Sequence, residues 1–507
     1  LLKKGKIDQS ADIVVIGAGT VGLMVSSLLA QKGFSVVNLE SGDYEQKDDT
    51  HPLNDVVYKK STYSSSTNGR FRCLGGTSTR WGAAMLPFLS KDIVDGMWPI
   101  LPEEISKYLK KIESLFDLSH EPYDRPDILN GNNLEFIPRL AKLPSYNKRN
   151  VFNIFEKYIK SENNLTTWIN ATVNKFKVEN EKLNELTAQA KDGSEIKVKA
   201  NHFIFAAGAI ETTRLILLLN RQNDNCVEKK SPLLGKNFTD HISIPIADIK
   251  IKDTKKLNRT IGYRFNNNSN MCNLRFELNE SSPTRKSIPP FFGRVVYDDF
   301  SGGYEELRGL LRSLQKKRIP TFKEVIDTLK NLPWLLKAVW WRFFEKRVLF
   351  PKNEKLVMHI IMEQIANPSN KISLSDIKKD MFNQPLTEIT WETSKEDSDN
   401  IFKASKSIQE FWNSSNLCSM ADFNLRTNEV INKEISQADG IHHPTGSTPM
   451  SSNASQGVVD KDLKMFALKN TRLLSTSVFP LGGGANPTMA LLMMGARCVD
   501  QICAEKS

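Results

Sequence analysis

At 507 residues, with 40% hydrophobic and 25% charged residues, the chain has an ordinary globular composition and is long enough for two domains. It contains no uninterrupted apolar run of about 18 residues, so the sequence predicts no membrane-spanning helix. The net charge of +11 would suit a nucleic acid, a membrane surface or an acidic substrate, and only its distribution can choose between them.

Six cysteines are too few for a disulfide framework in a chain of this size, and no CxxC pair indicates a zinc site. The first ten residues, LLKKGKIDQS, lack the apolar core and small-residue cleavage site of a secretion signal. We therefore predict a cytoplasmic protein with reduced cysteines and without a bound metal.

Residues 11–42 have the pattern of a strand, a glycine turn, a helix and a second strand. Residues 13–16 form a β-branched apolar run, typical of a strand that is buried on both faces. Residues 20–32 have a helical pattern that Gly33 ends, and residues 34–39 are the predicted second strand. This is the beginning of a dinucleotide-binding α/β domain.

Three glycines and an acid indicate the ligand of this unit. Gly17 allows the tight turn, Gly19 lets a pyrophosphate approach the backbone, and Gly22 lets the helix pack closely on the strand. Glu40 ends the second predicted strand, where a carboxylate can accept both hydroxyls of an adenosine ribose and would repel a 2′-phosphate. The pattern favours FAD or NAD over NADP; a glycine turn kept only for packing is the alternative.

A second glycine-rich segment, GRFRCLGGTSTRWG, covers residues 69–82. Gly75 and Gly76, followed by the hydroxyls of Thr77 and Ser78, suit a loop that wraps a phosphate or a planar ring. A glycine-rich surface turn would have the same composition.

The sequence GGTSTRWG resembles the flavin-contacting loop of the glucose–methanol–choline (GMC) flavoprotein oxidoreductases. Some relatives carry a His in this loop that bonds covalently to the flavin. Arg80 and Trp81 stand around that place here, so the resemblance implies non-covalent FAD with Trp81 beside it. Trp98, followed by Pro and Ile and by a predicted helix over residues 103–116, resembles a bacterial branch in which several members act on sugars or carbohydrate building blocks.

The resemblance continues through the middle of the chain. Residues 165–176 are a predicted strand, and the family's backbone contacts adenine at the position that resembles Val173. Residues 202–218 resemble the second family signature, with a strand, a small-residue turn that ends at Gly208 and a helix beneath the cofactor. His241, in the stretch GKNFTDH, is predicted to be structural.

Within residues 244–391, segments such as 244–251 and 356–364 alternate in the manner of antiparallel strands, and residues 370–391 are a predicted hairpin. Asn383 stands where the family usually has a glycine, and Asn tolerates a left-handed turn. The resemblance implies a sheet that covers the flavin. Residues 396–415 have the pattern of an amphipathic helix.

Residues 305–352 do not follow the family and are helical in character, with breaks at Pro320 and Pro333. They contain twelve Lys or Arg against five acids, most of the charge excess of the chain. Aromatic residues are interleaved with these cations: Trp334, Trp340, Trp341, Phe343, Phe344 and Phe350. Two interpretations stay open, an interfacial membrane contact through residues 334–350 or an insertion that packs its aromatics on its own domain. We expect no nucleic-acid partner, because no known binding module accompanies the charge.

The carboxy-terminal region resembles the GMC family throughout. In the family, the His of an H-P-x-G stretch and a second His or Asn form the catalytic pair, and these positions correspond to His443 and Asn486. The neighbouring His442 is assigned a structural role. Alcohol oxidation requires the loss of a hydroxyl proton and of a hydride; a His can take the proton, and an Asn can hydrogen-bond the developing alkoxide.

Two further features of this region bear on the cofactor. Pro487 and Thr488 open the last predicted helix, whose N–H groups can lie against the pyrimidine edge of the flavin. Ser475 stands where the family often has an Asp, which removes one hydrogen bond near the pyrophosphate.

The sequence thus predicts an α/β FAD-binding Rossmann-type domain plus an α+β substrate domain with an antiparallel sheet. The first comprises residues 1–90, 160–242 and 436–507. The second comprises residues 91–159 and 243–435, with a basic helical insertion at about 303–352.

The predicted activity is FAD-dependent oxidation of an alcohol on a sugar or glycoconjugate, with His443 as general base. Two alternatives are a peripheral-membrane enzyme of lipid or sterol alcohols that docks through residues 334–350, and a non-catalytic flavin-binding scaffold. The electron acceptor and the oligomeric state do not follow from the sequence.

Overall fold

The computed structural model describes residues 6–297 (apart from 47, 49, 130–134 and 162–163), residues 309, 313 and 319, and residues 321–350 and 355–506. Pro320 and half of the twelve cations predicted for the basic insertion, at positions 308, 312, 316–318 and 352, lie outside the described residues.

The described strands form three sheets. They are β1 (Lys6–Ile16), β2 (Val36–Leu39), β3 (Val56–Tyr58), β4 (Phe136–Leu143), β5 (Leu165–Trp168), β6 (Thr172–Glu179), β7 (Lys182–Gln189), β8 (Glu195–Phe205), β9 (His241–Ile251), β10 (Arg264–Phe265), β11 (Met271–Leu278), β12 (Phe291–Tyr297), β13 (Leu356–Glu363), β14 (Lys371–Lys379), β15 (Pro385–Thr390), β16 (Ala421–Leu425) and β17 (Thr471–Leu473).

The described α-helices pack on these sheets or connect them. They are α1 (Thr20–Gln31), α2 (Ser65–Asn68), α3 (Ser90–Asp95), α4 (Pro102–Ser106), α5 (Leu109–Leu115), α6 (Tyr146–Arg149), α7 (Val151–Ser161), α8 (Ala209–Gln222), α9 (Thr254–Ile261), α10 (Phe322–Lys330), α11 (Leu332–Trp340), α12 (Lys395–Ser414), α13 (Asn428–Ser436) and α14 (Thr488–Lys506). A π-helical turn, Trp341–Glu345, continues α11.

The first sheet has the strand order β5-β2-β1-β8-β7-β6, with β17 beside β8. Strands β1, β2, β5, β8 and β17 run parallel, and β6 and β7 form an antiparallel hairpin. The predicted buried strand lies at its centre, with Ile13, Val14 and Val15 fully buried. The prediction of a Rossmann-type parallel sheet is therefore confirmed.

The second sheet is antiparallel and has the order β10-β11-β12-β13-β9-β16, with β4 beside β11. One face packs on α12 to form a hydrophobic core that includes Leu274 and Phe276 of β11. Because side chains alternate along a strand, Arg275 and Glu277 point to the opposite face. The predicted antiparallel sheet is confirmed.

Three predicted elements differ in detail. Residues 165–176 form two strands, β5 and β6, because the chain turns between them at Asn170, whose φ is 56°. Residues 103–116 form two short helices, α4 and α5, instead of one. The hairpin of residues 370–391 forms as β14 and β15, and Asn383 has the expected left-handed φ of 60°. This hairpin pairs with β3 in a separate three-stranded sheet and does not join the large antiparallel sheet.

The proposed division of the chain into two domains stays a prediction. The strands of the sheet that contains β1 all lie in the ranges assigned to the FAD-binding domain. Those of the large antiparallel sheet lie in the ranges assigned to the substrate domain, except that β9 begins two residues earlier, at His241. The β3–β15 pair joins one strand from each set of ranges. Among the described residues, no helix is both long and apolar enough to cross a membrane.

Candidate active site

A long cleft opens at the carboxyl ends of β1, β2 and β8, where an open parallel sheet normally binds its ligand. Its empty volume is about 1370 Å³, part of it open to solvent. Twelve of the sixteen predicted site residues line it: Gly17, Gly19, Glu40, Gly76, Thr77, Trp81, Val173, Gly208, His443, Ser475, Pro487 and Thr488. Gly22, Gly75, Ser78 and Asn486 do not belong to its lining.

The three glycines of the first turn have different reasons to be glycine. Gly17 has a φ of 103°, which side chains rarely adopt. A Cβ on Gly22 would lie 2.1 Å from the carbonyl oxygen of Gly17, so α1 needs this glycine to pack. A Cβ on Gly19 would meet nothing within 4 Å. Packing within the chain therefore does not explain Gly19, whereas a ligand in the cleft would.

Glu40 supports the glycine turn. Its carboxylate accepts hydrogen bonds from the N–H of Ala18 and the N–H of Gly42, each at 2.8 Å. Burial raises the pKa of this carboxyl above its ordinary value, against the effect of the two N–H donors. Oε1 also accepts the Ser41 hydroxyl at 3.3 Å, whereas Oε2 retains a second lone pair for a ribose hydroxyl.

The second glycine-rich loop lies against the first. A Cβ on Gly76 would be 2.8 Å from the Cα of Gly19, so the two loops touch. Gly75 and Ser78 lie behind the cleft wall, where the Ser78 hydroxyl donates to the Gly75 carbonyl at 2.6 Å. Trp81 lines the cleft and its indole N–H donates to the Arg149 carbonyl at 2.9 Å.

A buried ionic cluster forms one wall of the cleft. Glu211, at the start of α8, pairs with Arg70 at 2.9 Å, with Arg72 at 2.6 Å and with Arg214 at 3.0 Å. Burial alone would raise the pKa of Glu211, but the three guanidinium groups hold it below its ordinary value. The cluster could not be predicted from the sequence, because Arg72 and Glu211 are 139 positions apart.

At the other end of the cleft, four groups form one directed chain of hydrogen bonds. The Asn486 amide Nδ2 lies 2.9 Å from His443 Nε2, and His443 Nδ1 lies 3.2 Å from His241 Nδ1. His241 Nε2 lies 2.7 Å from the Gly483 carbonyl oxygen.

The Gly483 carbonyl at the end of this chain determines which nitrogen of each neutral imidazole ring carries the hydrogen. A carbonyl oxygen can only accept, so His241 Nε2 carries a hydrogen and donates it to Gly483. The other nitrogen of a neutral imidazole is an acceptor, so His241 Nδ1 accepts from His443 Nδ1–H. His443 Nε2 is left with its lone pair, which accepts the Asn486 amide hydrogen.

Asp240 positions both histidines through the backbone. Its Oδ1 accepts the N–H of His241 at 2.6 Å and the N–H of His443 at 2.9 Å, and its Oδ2 accepts the hydroxyl of Tyr63. Burial raises the pKa of Asp240 to about 6. His241, predicted to be structural, is in direct contact with His443, and His442, also predicted to be structural, lines the cleft.

Both contacting histidines are held neutral. Burial lowers the pKa of His443 well below its ordinary value of 6.5, and the charges of His241 and Arg275 lower it further. Burial lowers the pKa of His241 to about 4. His443 is therefore unprotonated at neutral pH and binds an added proton weakly.

The segment that carries Asn486 is held by two acids. The Gly483 N–H donates to Glu363, at the end of β13, and the Gly484 N–H donates to Asp92 at 3.2 Å. Burial raises the pKa of Glu363 to about 8. The Oδ1 atom of Asn486 is buried and has no hydrogen-bond partner among the described residues.

Ligand atoms of Asp240, His241 and His443 lie within 4.8 Å of one another, which is compatible with a metal ion. The same atoms are accounted for by the hydrogen bonds described above. The prediction that no metal binds stays a prediction.

Comparisons with known proteins agree with this fold. A family model described as GMC oxidoreductase matches residues 366–495. Over 61 residues, or 12% of this chain, the sequence is 39% identical to a dehydrogenase of Armillaria gallica. Over 78 residues, or 15% of this chain, it is 33% identical to the long-chain-alcohol oxidase FAO3 of Arabidopsis thaliana. Each match spans 10% of the length of that relative.

Solved structures match over nearly the whole chain. A formate oxidase superimposes with a TM-score of 0.58 at 15% identity, over 98% of this chain and 99% of its own. A pyridoxine 4-oxidase from Mesorbium loti superimposes with a TM-score of 0.57 at 14% identity, over 97% and 98%. At these identities the likeness shows the fold. Residues 366–495 thus match the GMC oxidoreductase family model, and nearly the whole chain has the same fold as these two oxidases.

Proposed function

We propose that the protein is an FAD-dependent oxidoreductase that oxidises an alcohol, with His443 as the general base and Asn486 as its partner. The observation that carries the proposal is the directed chain from Gly483 through His241 to His443. It leaves the His443 Nε2 lone pair beside a buried amide at the end of a dinucleotide cleft.

The residues present fit FAD. Gly17, Gly19 and the start of α1 would hold the pyrophosphate, and Glu40 would bind the ribose. The open space at Gly19 is a feature that a ligand in the cleft would explain. When bound, FAD supplies the acceptor for the hydride.

The proton step belongs to the residues of the chain. A substrate hydroxyl that takes the place of the Asn486 amide at His443 Nε2 donates its proton there, and the released Asn486 Nδ2–H then stabilises the oxygen left behind. His443 Nδ1 keeps its hydrogen throughout, because His241 Nδ1 accepts it. The low pKa of His443 keeps it unprotonated at neutral pH but also means that it binds the substrate proton weakly.

We propose that FAD binds without a covalent bond. The resemblance to relatives with a covalent His points to Arg80 and Trp81 at that place. In this chain Arg80 donates to the Gln46 carbonyl at 2.8 Å and lies over the Phe71 ring, so neither side chain offers a nucleophile to the flavin. Acid precipitation should therefore release the flavin into the supernatant.

A sugar or glycoconjugate alcohol is the substrate we favour, on the resemblance around Trp98 to a branch that oxidises carbohydrates. A lipid or sterol alcohol is the second candidate, and the exposed apolar surface of α10 and α11 favours it specifically. A panel of both substrate classes, scored by anaerobic bleaching of the flavin, separates the two.

The same assay tests the catalytic role. His443→Ala should slow flavin reduction by about 10²–10⁴-fold while FAD stays bound, which is the usual contribution of a general base. His120→Ala is the matched control, because His120 is an exposed histidine paired with Glu113. Bleaching of His443→Ala at the wild-type rate would reject the role, and a flavin that no alcohol bleaches would favour the non-catalytic scaffold.

A further inference from the structure

Exposed apolar side chains are concentrated in one short part of the chain. Of the nineteen large hydrophobic side chains exposed among the described residues, ten lie between positions 319 and 344. Scattered exposed apolar residues are normal on a globular surface, but a contiguous patch marks a binding surface.

These side chains form an ordered stripe along α10, α11 and the π-helical turn. Spacings of three and four residues place the exposed residues of α10 on one face of that helix and those of α11 and the turn on one face of theirs. We call the two faces together the outward stripe: Phe322, Val325, Leu329, Leu332, Leu336, Val339 and Phe343. Their exposed fractions run from 38% at Val325 to 82% at Phe322. At about 1.5 Å per residue, the stripe is about 30 Å long.

The opposite face of α11 and the segment that follows it pack on the protein. Trp334 and Trp341 are buried with Leu349 in a small core of their own, and the Trp334 indole donates to the Phe350 carbonyl at 3.3 Å. The Asn258 side chain of α9 donates to the Val348 carbonyl at 2.9 Å and accepts from the Phe350 N–H at 2.8 Å. The outward direction of the stripe is therefore set by packing on the other side.

A row of cations runs beside the stripe. Lys323, Lys330 and Lys337 follow stripe residues at seven-residue spacing and are exposed; Lys330 also pairs with Asp327 at 2.7 Å. Near the end of the stripe, Arg342 lies 3.6 Å from the centre of the Phe265 ring, and Lys346 is exposed.

The adjoining helix adds to this charge. The sequence of α9, TKKLNRTI, contains three cations and no acid. One of these cations, Arg259, pairs with Glu345 of the π-helical turn. The charge around the apolar stripe is therefore mainly positive, which is complementary to an anionic surface.

The width of the apolar surface argues against a partner helix. A coiled-coil seam is narrow and carries charged residues on its flanks. Here Pro333 and Trp340 widen the stripe on one side, and Trp340 stacks on Phe344 with ring centres 5.7 Å apart. A broad apolar face with aromatic residues and a lysine flank is the pattern of an interfacial helix.

We propose that the outward stripe and its lysine row dock the protein on an anionic lipid bilayer. The helices lie in the plane of the membrane, with the stripe in the acyl boundary and the lysines among the headgroups. This surface lies near the Leu356 end of β13, whereas the Glu363 end of that strand reaches the candidate active site. The length of β13 separates the two by about 23 Å, at about 3.3 Å per residue.

Vesicle flotation of the full chain tests the proposal without any alcohol substrate. We expect wild-type protein to float with phosphatidylcholine vesicles that contain phosphatidylserine, and to bind pure phosphatidylcholine vesicles at least tenfold more weakly. The double substitution Phe343→Ser with Phe344→Ser should reduce binding at least tenfold. The matched control, Ile377→Ser with Met381→Ser, changes two exposed apolar residues elsewhere and should bind as wild type.

Charge reversal tests the lysine row separately. Lys323→Glu with Lys337→Glu should abolish the preference for anionic vesicles, whereas Lys229→Glu with Lys403→Glu, at other exposed positions, should not. Unchanged FAD content and unfolding temperature identify variants that are folded. These readouts do not depend on the proposed activity.

Three results would overturn the proposal. Wild-type protein could fail to float with anionic vesicles, or the two controls could lose binding as much as the stripe variants. Light scattering could also show an oligomer that Phe343→Ser with Phe344→Ser dissolves, in which case the stripe is an interface between copies of the chain.

Discussion

The directed chain of hydrogen bonds makes His241 a positioning residue whose removal has a calculable effect. His241→Phe keeps the ring volume but removes the acceptor for His443 Nδ1–H and the donor to the Gly483 carbonyl. Each buried polar group left without a partner costs about 1–3 kcal/mol. The free energy of unfolding should therefore fall by about 2–6 kcal/mol.

The same substitution should change the proton position on His443. Without an acceptor at Nδ1, the proton moves to Nε2, where the free Oδ1 of Asn486 can accept it after the amide turns. The lone pair that faces the cleft is then lost. If the hydrogen bond to His241 Nδ1 stabilises the Nδ1–H form of His443 by about 1–3 kcal/mol, the population of that form falls by about 5–150-fold when the acceptor is removed. The rate of flavin reduction falls by the same factor.

Two measurements check this reasoning. Nitrogen-15 NMR of the protein without flavin reports which ring nitrogen carries the proton, and we expect Nδ1 for His443 in the wild type and Nε2 in His241→Phe. Anaerobic stopped-flow absorbance of the FAD-loaded protein gives the rate. His241→Asn is the matched control, because its Oδ1 lies where His241 Nδ1 lies and should retain most of the rate. A wild-type His443 with its proton on Nε2, or a His241→Phe protein that reduces flavin at the wild-type rate, would refute the direction of the chain.

Three other predictions follow from the site. Gly19→Ala should leave the unfolding temperature unchanged and weaken FAD binding by about 10–100-fold. Gly22→Ala should destabilise the protein, because its Cβ would overlap a carbonyl oxygen. Fluorescence titration measures the FAD affinity, and thermal unfolding measures the stability. Glu363 has a pKa raised from 4.5 to about 8, so the folded state holds its proton more tightly and stability falls as pH rises across that window. Glu363→Gln should therefore match the wild type at pH 5 and exceed it by up to about 5 kcal/mol at pH 9 in denaturant unfolding. Arg275→Met removes a cation that lowers the pKa of His443, so the acid limb of the rate profile should move to higher pH.

Each of these predictions has a contrary outcome. Equal FAD affinity in Gly19→Ala would mean that the open space at this glycine is not occupied by the cofactor. Parallel unfolding curves of Glu363→Gln and the wild type from pH 5 to pH 9 would mean that the glutamate is ionised in the folded state. An unmoved acid limb in Arg275→Met would place the limiting ionisation elsewhere.

The sequence predicted the features that depend on neighbouring residues. The buried strand, the glycine turn and the helix that starts at Thr20 are local patterns, and all three form as expected. The resemblance placed Val173, Gly208 and Thr488 at the cleft, although strands and loops from distant parts of the chain bring them there.

Contacts between distant polar residues could not be predicted. His241 and His443 are 202 positions apart, and nothing in the local pattern of either residue indicates that their rings touch. The ions around Glu211 meet only because the fold buries all of them together. In the basic segment, periodicity shows that a helix has two unlike faces but not which face the protein covers, so the sequence leaves both interpretations open.

The chain of hydrogen bonds from Asn486 ends on the Gly483 carbonyl, and this has a consequence for turnover. A peptide oxygen cannot take up and pass on a proton, so there is no exit route behind His241. The proton that His443 accepts must therefore leave on the cleft side, from which the substrate delivered it. Release of the oxidised product and deprotonation of His443 then use the same opening.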